Sequence, residues 1–453
     1  MPRPSKQVSL ETLGGRIRAA RENLHLSLAD VANGHYSTSL ISQIERNRIE
    51  PSQESLRFLA ERLELSLEDL AALAQQHRAR EFEKQQDKSI EELHLTAAKL
   101  LAKKDFACAE KLLQDLSFSQ IPQPQRWRLA ALRGQCYFEQ RKFLKAQHDF
   151  VYAVNEQPQQ SGLPPEQKQE LLLLHLHLAG AYRELRQLEA ALEQYKITLN
   201  YVNSDTPFGY VAEVHWGLAL IAHTQANQTS NAAQGAATMK EMILRTALEH
   251  AENARFLYRS IGSQIRADTV TCHIAQIEQK LGAIDKARHY LREVLVTWAP
   301  ALNEQATSPT RDKLQQQEIA NIVSCAAYSL ANIELEAQHF EQALTYSEQA
   351  LEAGKRSYKI RRADAHLLRG RILEAINFRD PEVEQAYRTA TEELKDTERI
   401  AARISAHVRL AQHLLKIGKG EEGEYQLEQA RLLLDQVSVS DSPSTETEDT
   451  ELA

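Results

Sequence analysis

The chain has 453 residues, enough for two or three domains, and 42% of them are apolar while Gly (16) and Pro (13) are scarce, a composition suited to a nearly all-helical protein. Its net charge of −8 excludes a molecule that attracts nucleic acid with its whole surface, so any DNA contact must come from a local patch. Four widely separated cysteines (Cys108, Cys136, Cys272, Cys325) without a CxxC exclude a disulfide frame or zinc site and read as reduced core residues of a cytosolic protein.

No apolar segment follows the start, so no signal peptide is expected. Residues 8–75 are expected to form one small domain of five short helices. Ser27 with Asp30 and Ser66 with Asp69 have the spacing of capping boxes, and Pro51-Ser52 opens the fourth helix. Leu13, Ile17, Val31, Leu40, Ile41, Ile44, Leu56, Leu59 and Leu63 can close a single core. In the third segment, "STSLISQIERNR", Ser37 can cap a helix whose Leu40, Ile41 and Ile44 point inward. Thr38, Ser39, Ser42 and Gln43 are left on the other side.

The stretch from "LGGRIRAARE" through "ISQIER" to the Pro-Ser start of helix four resembles the Cro/CI (XRE-type) helix-turn-helix domain, with a turn, "NGHY", one residue shorter. The resemblance implies that the third helix enters the major groove of DNA with Ser37, Thr38, Ser39, Ser42 and Gln43 near base edges. Gln pairs bidentately with adenine, and Ser and Thr adapt as donors or acceptors. Arg46, Asn47 and Arg48 after that helix, and Arg16 and Arg18 of the first, are expected on phosphates. The resemblance further implies that Glu45 pairs with Arg21 inside the fold, a structural role for both. Residues 1–57 carry eight Lys/Arg against six Asp/Glu, a net of only +2. One such domain binds weakly, so a homodimer is expected, reading half-sites about 34 Å apart or a multiple of it.

Residues 76–89 are polar and free of Gly and Pro, as in a connecting helix. From there to 437 small residues recur twelve apart: Ala97 and Ala109, Gly134 and Ala146, Ala179 and Ala191, Ala275 and Ala287, Ala331 and Ala343, Ala411 and Gly423. Antiparallel helices cross closely only where neither carries bulk, with larger residues filling the flanks. The copy "GQCYFEQRKFLKAQHDFVYAVNEQP" places Gly134, Tyr137, Ala146, Phe150, Ala153 and Pro158 on the signature spacings of the tetratricopeptide repeat, which the region resembles. The expected architecture is all-α: the five-helix domain, then a right-handed superhelix of about eight helix pairs. "QANQTSNAAQGAATM" is expected to be a long loop and "NFRDP" a turn that widens one unit. The acidic tail 438–453 is expected to be disordered.

On the repeat frame Arg128, Gln135, Phe138, Arg183, Trp216, Gln276, Asn332, Arg371 and Gln412 fall on the concave face. Amides and guanidinium groups there suit the backbone and terminal carboxylate of an extended peptide. An XRE-type domain followed by such repeats resembles the RRNPP class of peptide-responsive bacterial regulators. That resemblance implies a cytoplasmic, dimeric quorum-sensing transcription factor whose repeats take a short peptide or other ligand. A DNA-tethered scaffold for a partner protein is the alternative.

Catalysis finds no support: there is no P-loop, GxSxG, HExxH or Gly-rich phosphate turn, and no cofactor is called for. His175 and His177, two apart, face different ways on a helix and make a poor metal pair. The run "LLLLHLHLAGAY" is too short to span a bilayer.

Overall fold

A computed structural model describes residues 11–158, 163–229, 235–304 and 313–440. All regular structure among these residues is helical. By packing the chain divides into two units, Met1–Lys104 with Ser117–Gln125, and Asp105–Leu116 with Arg126–Ala453.

In the first unit short polar residues set where each helix begins. Thr12, Ser27, Ser37, Ser52 and Ser66 cap α1 (Leu13–Asn23), α2 (Leu28–Ala32), α3 (Thr38–Glu45), α4 (Gln53–Arg62) and α5 (Leu67–Ala102), each accepting a backbone N–H of the first turn. Ser27 and Asp30 form the reciprocal capping box, at 3.2 and 2.8 Å. The helices bury Leu13, Ile17, Val31, Ile41, Ile44, Leu56, Leu59 and Leu63, joined by Leu70 and Ala74 of α5; Leu40 lies at the margin, half-buried. Asn33 and Gly34 both take positive φ (44° and 74°) between α2 and α3, so the short "NGHY" turn reverses the chain in left-handed steps.

Gly14 is required by close approach. A Cβ there would lie 2.4 Å from the Ile44 carbonyl oxygen and 2.6 Å from that of Glu45, so only glycine lets α1 lie on the end of α3. Residues 76–89 do not form a separate element, because α5 continues through them to Ala102.

The second unit is built of antiparallel helices stacked in chain order: α6 (Phe106–Leu113), α7 (Gln123–Glu139), α8 (Phe143–Glu156), α9 (Pro165–Glu184), α10 (Leu188–Tyr201), α11 (Phe208–Gln228), α12 (Ala236–Ser260), α13 (Gln264–Lys280), α14 (Ile284–Glu304), α15 (Lys313–Glu336), α16 (Phe340–Gly354), α17 (Lys359–Ile376), α18 (Pro381–Leu394), α19 (Ile400–Lys416) and α20 (Gly420–Ser440). All twelve small residues of the twelve-residue interval are buried. Successive pairs are layered as closely as partners within a pair: a Cβ on Gly217 of α11 would sit 2.1 Å from the ring of Tyr195 on α10.

Three expectations need correction. "QANQTSNAAQGAATM" is not a long loop: α11 runs to Gln228 and α12 begins at Ala236, with 230–234 outside the described residues. Ala and Gln are good helix formers, and their propensity prevails over the polar, small-residue look of the segment. The tail is helical to Ser440, and residues 441–453 lie outside the described residues. Cys108 is exposed, not in the core, since it follows the Asp105 cap on the outer side of α6; the other three cysteines are buried. "NFRDP" is a turn, with α17 ending at Ile376 and α18 starting at Pro381.

Candidate nucleic-acid interface and the inner face of the repeats

Helix α3 presents a divided surface. Ile41, Ile44 and Glu45 are buried, Ser37, Thr38 and Ser39 are exposed, and Ser42 and Gln43 are half-buried. Ser37 Oγ accepts the Leu40 amide at 3.1 Å, so its hydroxyl caps the helix and orients the N-terminal turn.

The six flanking cations and polar residues sort into two groups. Arg21 donates from Nε to Glu45 Oε1 at 2.5 Å and from Nη2 to Oε2 at 3.0 Å, with a further bond to the Leu26 carbonyl. The Glu45 hydrogen bond raises the Arg21 pKa above its ordinary value although burial opposes it. Arg18 pairs with Glu22 at 2.8 Å. Asn47 is also committed internally, which corrects its assignment to phosphate. Its Oδ1 accepts the Gly14 amide at 2.7 Å and its Nδ2 donates to Thr12 Oγ1 at 3.0 Å, in a left-handed backbone (φ 52°) just after α3. By contrast Arg16, Arg46 and Arg48 are exposed and make no ion pair among the described residues. Sequence reasoning also missed Arg62, whose guanidinium donates to the Asp30 carbonyl at 3.0 and 3.2 Å and ties α4 to α2.

In the repeat unit four of the proposed concave positions, Arg128, Gln276, Asn332 and Arg371, make hydrogen bonds between first helices of neighbouring pairs. Arg128 of α7 makes a bidentate pair with Glu170 of α9 (2.7 and 2.8 Å). Gln276 of α13 donates to Ser329 of α15 at 3.0 Å, and Asn332 of α15 accepts from Arg371 of α17 at 3.1 Å. Arg183 pairs with Glu184 (2.9 Å) and reaches the Tyr195 hydroxyl (3.4 Å). Phe138 packs on Phe143 and His177, and Trp216 lies edge-on to Tyr258 with its buried indole N–H lacking a partner among the described residues. Gln135 is half-buried and Gln412 exposed. His175 bonds Gln194 at 2.7 Å, while His177 stacks on Phe150, so the two go separate ways.

Sequence reasoning also missed a closure. Residues of α8, α9 and the turn before α8 meet residues near the starts of α17 and α19, over two hundred positions later. The Arg141 guanidinium lies 3.8 Å from the centre of the Tyr358 ring, the Leu144 amide donates to Glu398 Oε2 at 3.0 Å, and Arg399 pairs with Glu184. Burial would push Glu184 up, but Arg183 and Arg399 carry its carboxyl below the usual value. The coil of helices therefore closes on itself through charged side chains. Among the described residues no three His, Cys, Asp or Glu converge as a metal would need, and no helix is long and apolar enough to cross a membrane.

Comparison with known proteins agrees with this division. A family model described as a helix-turn-helix domain matches residues 14–76. No curated protein matches the chain. Among solved structures it is similar to a Rap protein complexed with competence and sporulation factor, at 12% identity and TM-score 0.50, covering 94% of this chain and 99% of that one. It is also similar to the apo quorum sensor NprR from B. thuringiensis (12%, 0.45, 77% and 99%) and to a tetratricopeptide repeat protein from Parabacteroides merdae ATCC 43184 (16%, 0.43, 72% and 99%). The chain thus carries a helix-turn-helix domain over residues 14–76, and the fold of its remaining helices is similar to that of the Rap protein.

Proposed function

We propose that this chain is a cytoplasmic, sequence-specific DNA-binding transcriptional regulator that acts as a homodimer, with repeats that sense a short peptide or another extended ligand. The observation that carries the reading is the exposed N-terminal half of α3, fixed by its Ser37 cap and flanked by three arginines without ion pairs among the described residues. Thr38, Ser39, Ser42 and Gln43 face base edges, and Arg16, Arg46 and Arg48 face phosphates. Arg21, Glu45 and Asn47 hold the domain together and act on DNA only through its shape.

A ligand on the inner face meets Arg183, Gln276, Asn332 and Arg371, which already satisfy one another or their neighbours. It must replace those bonds one for one, as a peptide backbone with its terminal carboxylate can. The same satisfaction favours the second reading, a scaffold whose repeats hold a partner protein elsewhere and leave DNA affinity unchanged. A peptide that shifts DNA affinity supports the first reading, and a partner that binds the repeats without shifting it supports the second.

The DNA reading is tested by selecting bound duplexes from a random pool with the full chain at fixed salt. Enrichment of a motif with two half-sites, lost in Gln43→Ala, is the expected result. A parent that enriches nothing overturns the reading.

A further inference from the structure

Two first helices of the repeat unit, α13 and α15, run side by side in a fixed register. Gln276 of α13 donates to Ser329 Oγ of α15 at 3.0 Å, across 53 positions of chain. One turn earlier on each helix stand Cys272 and Cys325, separated by the same interval, so the register that joins Gln276 to Ser329 sets the two thiols face to face. Gln276 also reaches back to Cys325 Sγ, at 3.9 Å. Both cysteines are free, belong to one apolar cluster and are 0% and 8% exposed, and the Cys272 thiol hydrogen-bonds the Cys325 sulfur.

The surroundings make the two thiols unequal. Asn321, one turn before Cys325, accepts from Arg361 Nε of α17 at 3.0 Å, which brings a guanidinium beside Cys325. The Cys272 hydrogen bond, and after it Arg361, hold the Cys325 thiol below its ordinary pKa against the opposing effect of burial. The same bond, with burial, pushes the Cys272 thiol up. Cys325 is therefore the sulfur that carries thiolate character, the form that reacts. Its side of the pair is also the open one: the Arg361 and Asp364 side chains are 36% and 34% exposed. The other two cysteines lack such a setting. Asp105 raises the exposed Cys108, and burial raises Cys136, whose thiol donates to the Phe106 carbonyl at 3.0 Å.

We propose that Cys325 and Cys272 are a peroxide-reactive thiol pair, in which Cys325 is oxidised first and Cys272 resolves it into a disulfide between α13 and α15. The Cys325 thiolate attacks one oxygen of hydrogen peroxide. The O–O bond breaks, hydroxide leaves, and Cys325 becomes a sulfenic acid. Cys272 then attacks the Cys325 sulfur, the S–O bond breaks, and the departing hydroxide takes the Cys272 proton as water. In sum two thiols lose two electrons and two protons, and peroxide is reduced to two waters. The product would staple neighbouring helix pairs together next to the Gln276–Ser329 bond. This site stands independently of the DNA and ligand readings above.

The test treats the full, reduced chain with hydrogen peroxide, blocks remaining thiols with iodoacetamide in denaturant, and maps the peptides by mass. The expected product has lost two hydrogens and yields a linked Cys272–Cys325 peptide that dithiothreitol separates, with Cys108 and Cys136 still alkylated. Cys272→Ser should stop at the sulfenic acid, trapped on Cys325 by dimedone. Cys325→Ser should give neither a linked peptide nor a dimedone adduct on Cys272. Circular dichroism of both variants, matching the parent, shows that the fold is kept. Alkylation of both Cys272 and Cys325 at a peroxide level that already oxidises Cys108 overturns the proposal, as do linked peptides that contain Cys108 in place of this pair. A dimedone adduct on Cys272 in Cys325→Ser, with none on Cys325 in Cys272→Ser, overturns the assigned order.

Discussion

The amide of Gly14 donates to Asn47 Oδ1 at 2.7 Å, across a contact so close that a Cβ on Gly14 would collide with the Ile44 carbonyl. One hydrogen bond therefore joins the first turn of α1 to the residue just beyond the C-cap of α3. It sets the pose of the helix whose exposed far end is the one proposed to meet DNA.

Replacing Asn47 removes this bond and puts a less tolerant residue at φ 52°. Asn47→Ala is expected to cost about 1–3 kcal/mol in the first unit, from the left-handed backbone and an unsatisfied amide together. Asn47→Gly keeps the backbone and loses only the two side-chain bonds, to Gly14 and Thr12, so it should fall between Ala and the parent. Urea denaturation followed by circular dichroism checks the order, and an unchanged Asn47→Ala would remove the lock from this account.

Arg46 and Arg48 should behave in the opposite way. Both are exposed and without ion pairs among the described residues, so their Ala variants are expected to melt like the parent. Each should lower the slope of log affinity against log salt by about one, as loss of a phosphate contact does. Arg21→Ala instead strands the buried Glu45, about 3–5 kcal/mol if the carboxylate stays charged. A salt titration of DNA binding and a melting curve on the three variants separate these roles.

Much of this was legible in the chain because the signals are local. Ser caps, the stripe Ile41 and Ile44, and the pair Arg21–Glu45 implied by resemblance all lie within one small domain. The small residues twelve apart mark helix crossings for the same reason. Asn47 was misassigned because a polar residue after a recognition helix looks the same whether it turns outward or back to Thr12. The closure through Arg141, Tyr358, Glu184 and Arg399 left no trace in spacing, since it joins segments over two hundred residues apart. The ladder Gln276–Ser329 and Asn332–Arg371 could not be read from the repeat frame, because mutual hydrogen bonding between first helices depends on how adjacent pairs stack.

Buried histidines make the repeat unit sensitive to acid. His223 Nδ1 and His273 Nε2 lie 2.9 Å apart between α11 and α13, and their outer nitrogens have no partner among the described residues. Burial, then Lys280, lowers His223 to about 4; burial, His223 and Arg183 lower His273 as well. The folded state binds fewer protons than the unfolded one, so this contribution is full above about pH 6.5 and is lost as pH falls toward 4. For His223 the loss at pH 5 is about 2 kcal/mol. Urea midpoints near pH 7.5 and pH 5 should fall less for His223→Gln than for the parent, and equal falls would count against the pair as the source.

Closure of the coil should depend on Glu184. Its carboxylate lies between Arg183 and Arg399, and these hold it charged below the usual carboxylate pKa despite burial. Because the folded value is depressed, the stabilisation is present above about pH 4.3 and fades below it, so at neutral pH the pair is intact. Glu184→Gln keeps the size of the side chain and removes the charge, leaving Arg399 without its partner across the closure. Tyr358→Ala removes the ring under Arg141, a contact of about 0.5–2 kcal/mol. The double variant is expected to open, with a larger radius of gyration by small-angle X-ray scattering and unchanged helix content. Since Arg183 belongs to both the closure and the inner face, the opened form should also bind any inner-face ligand with altered affinity. An identical scattering curve would show that helix packing alone holds the coil closed, and would leave the charged pairs as its consequence.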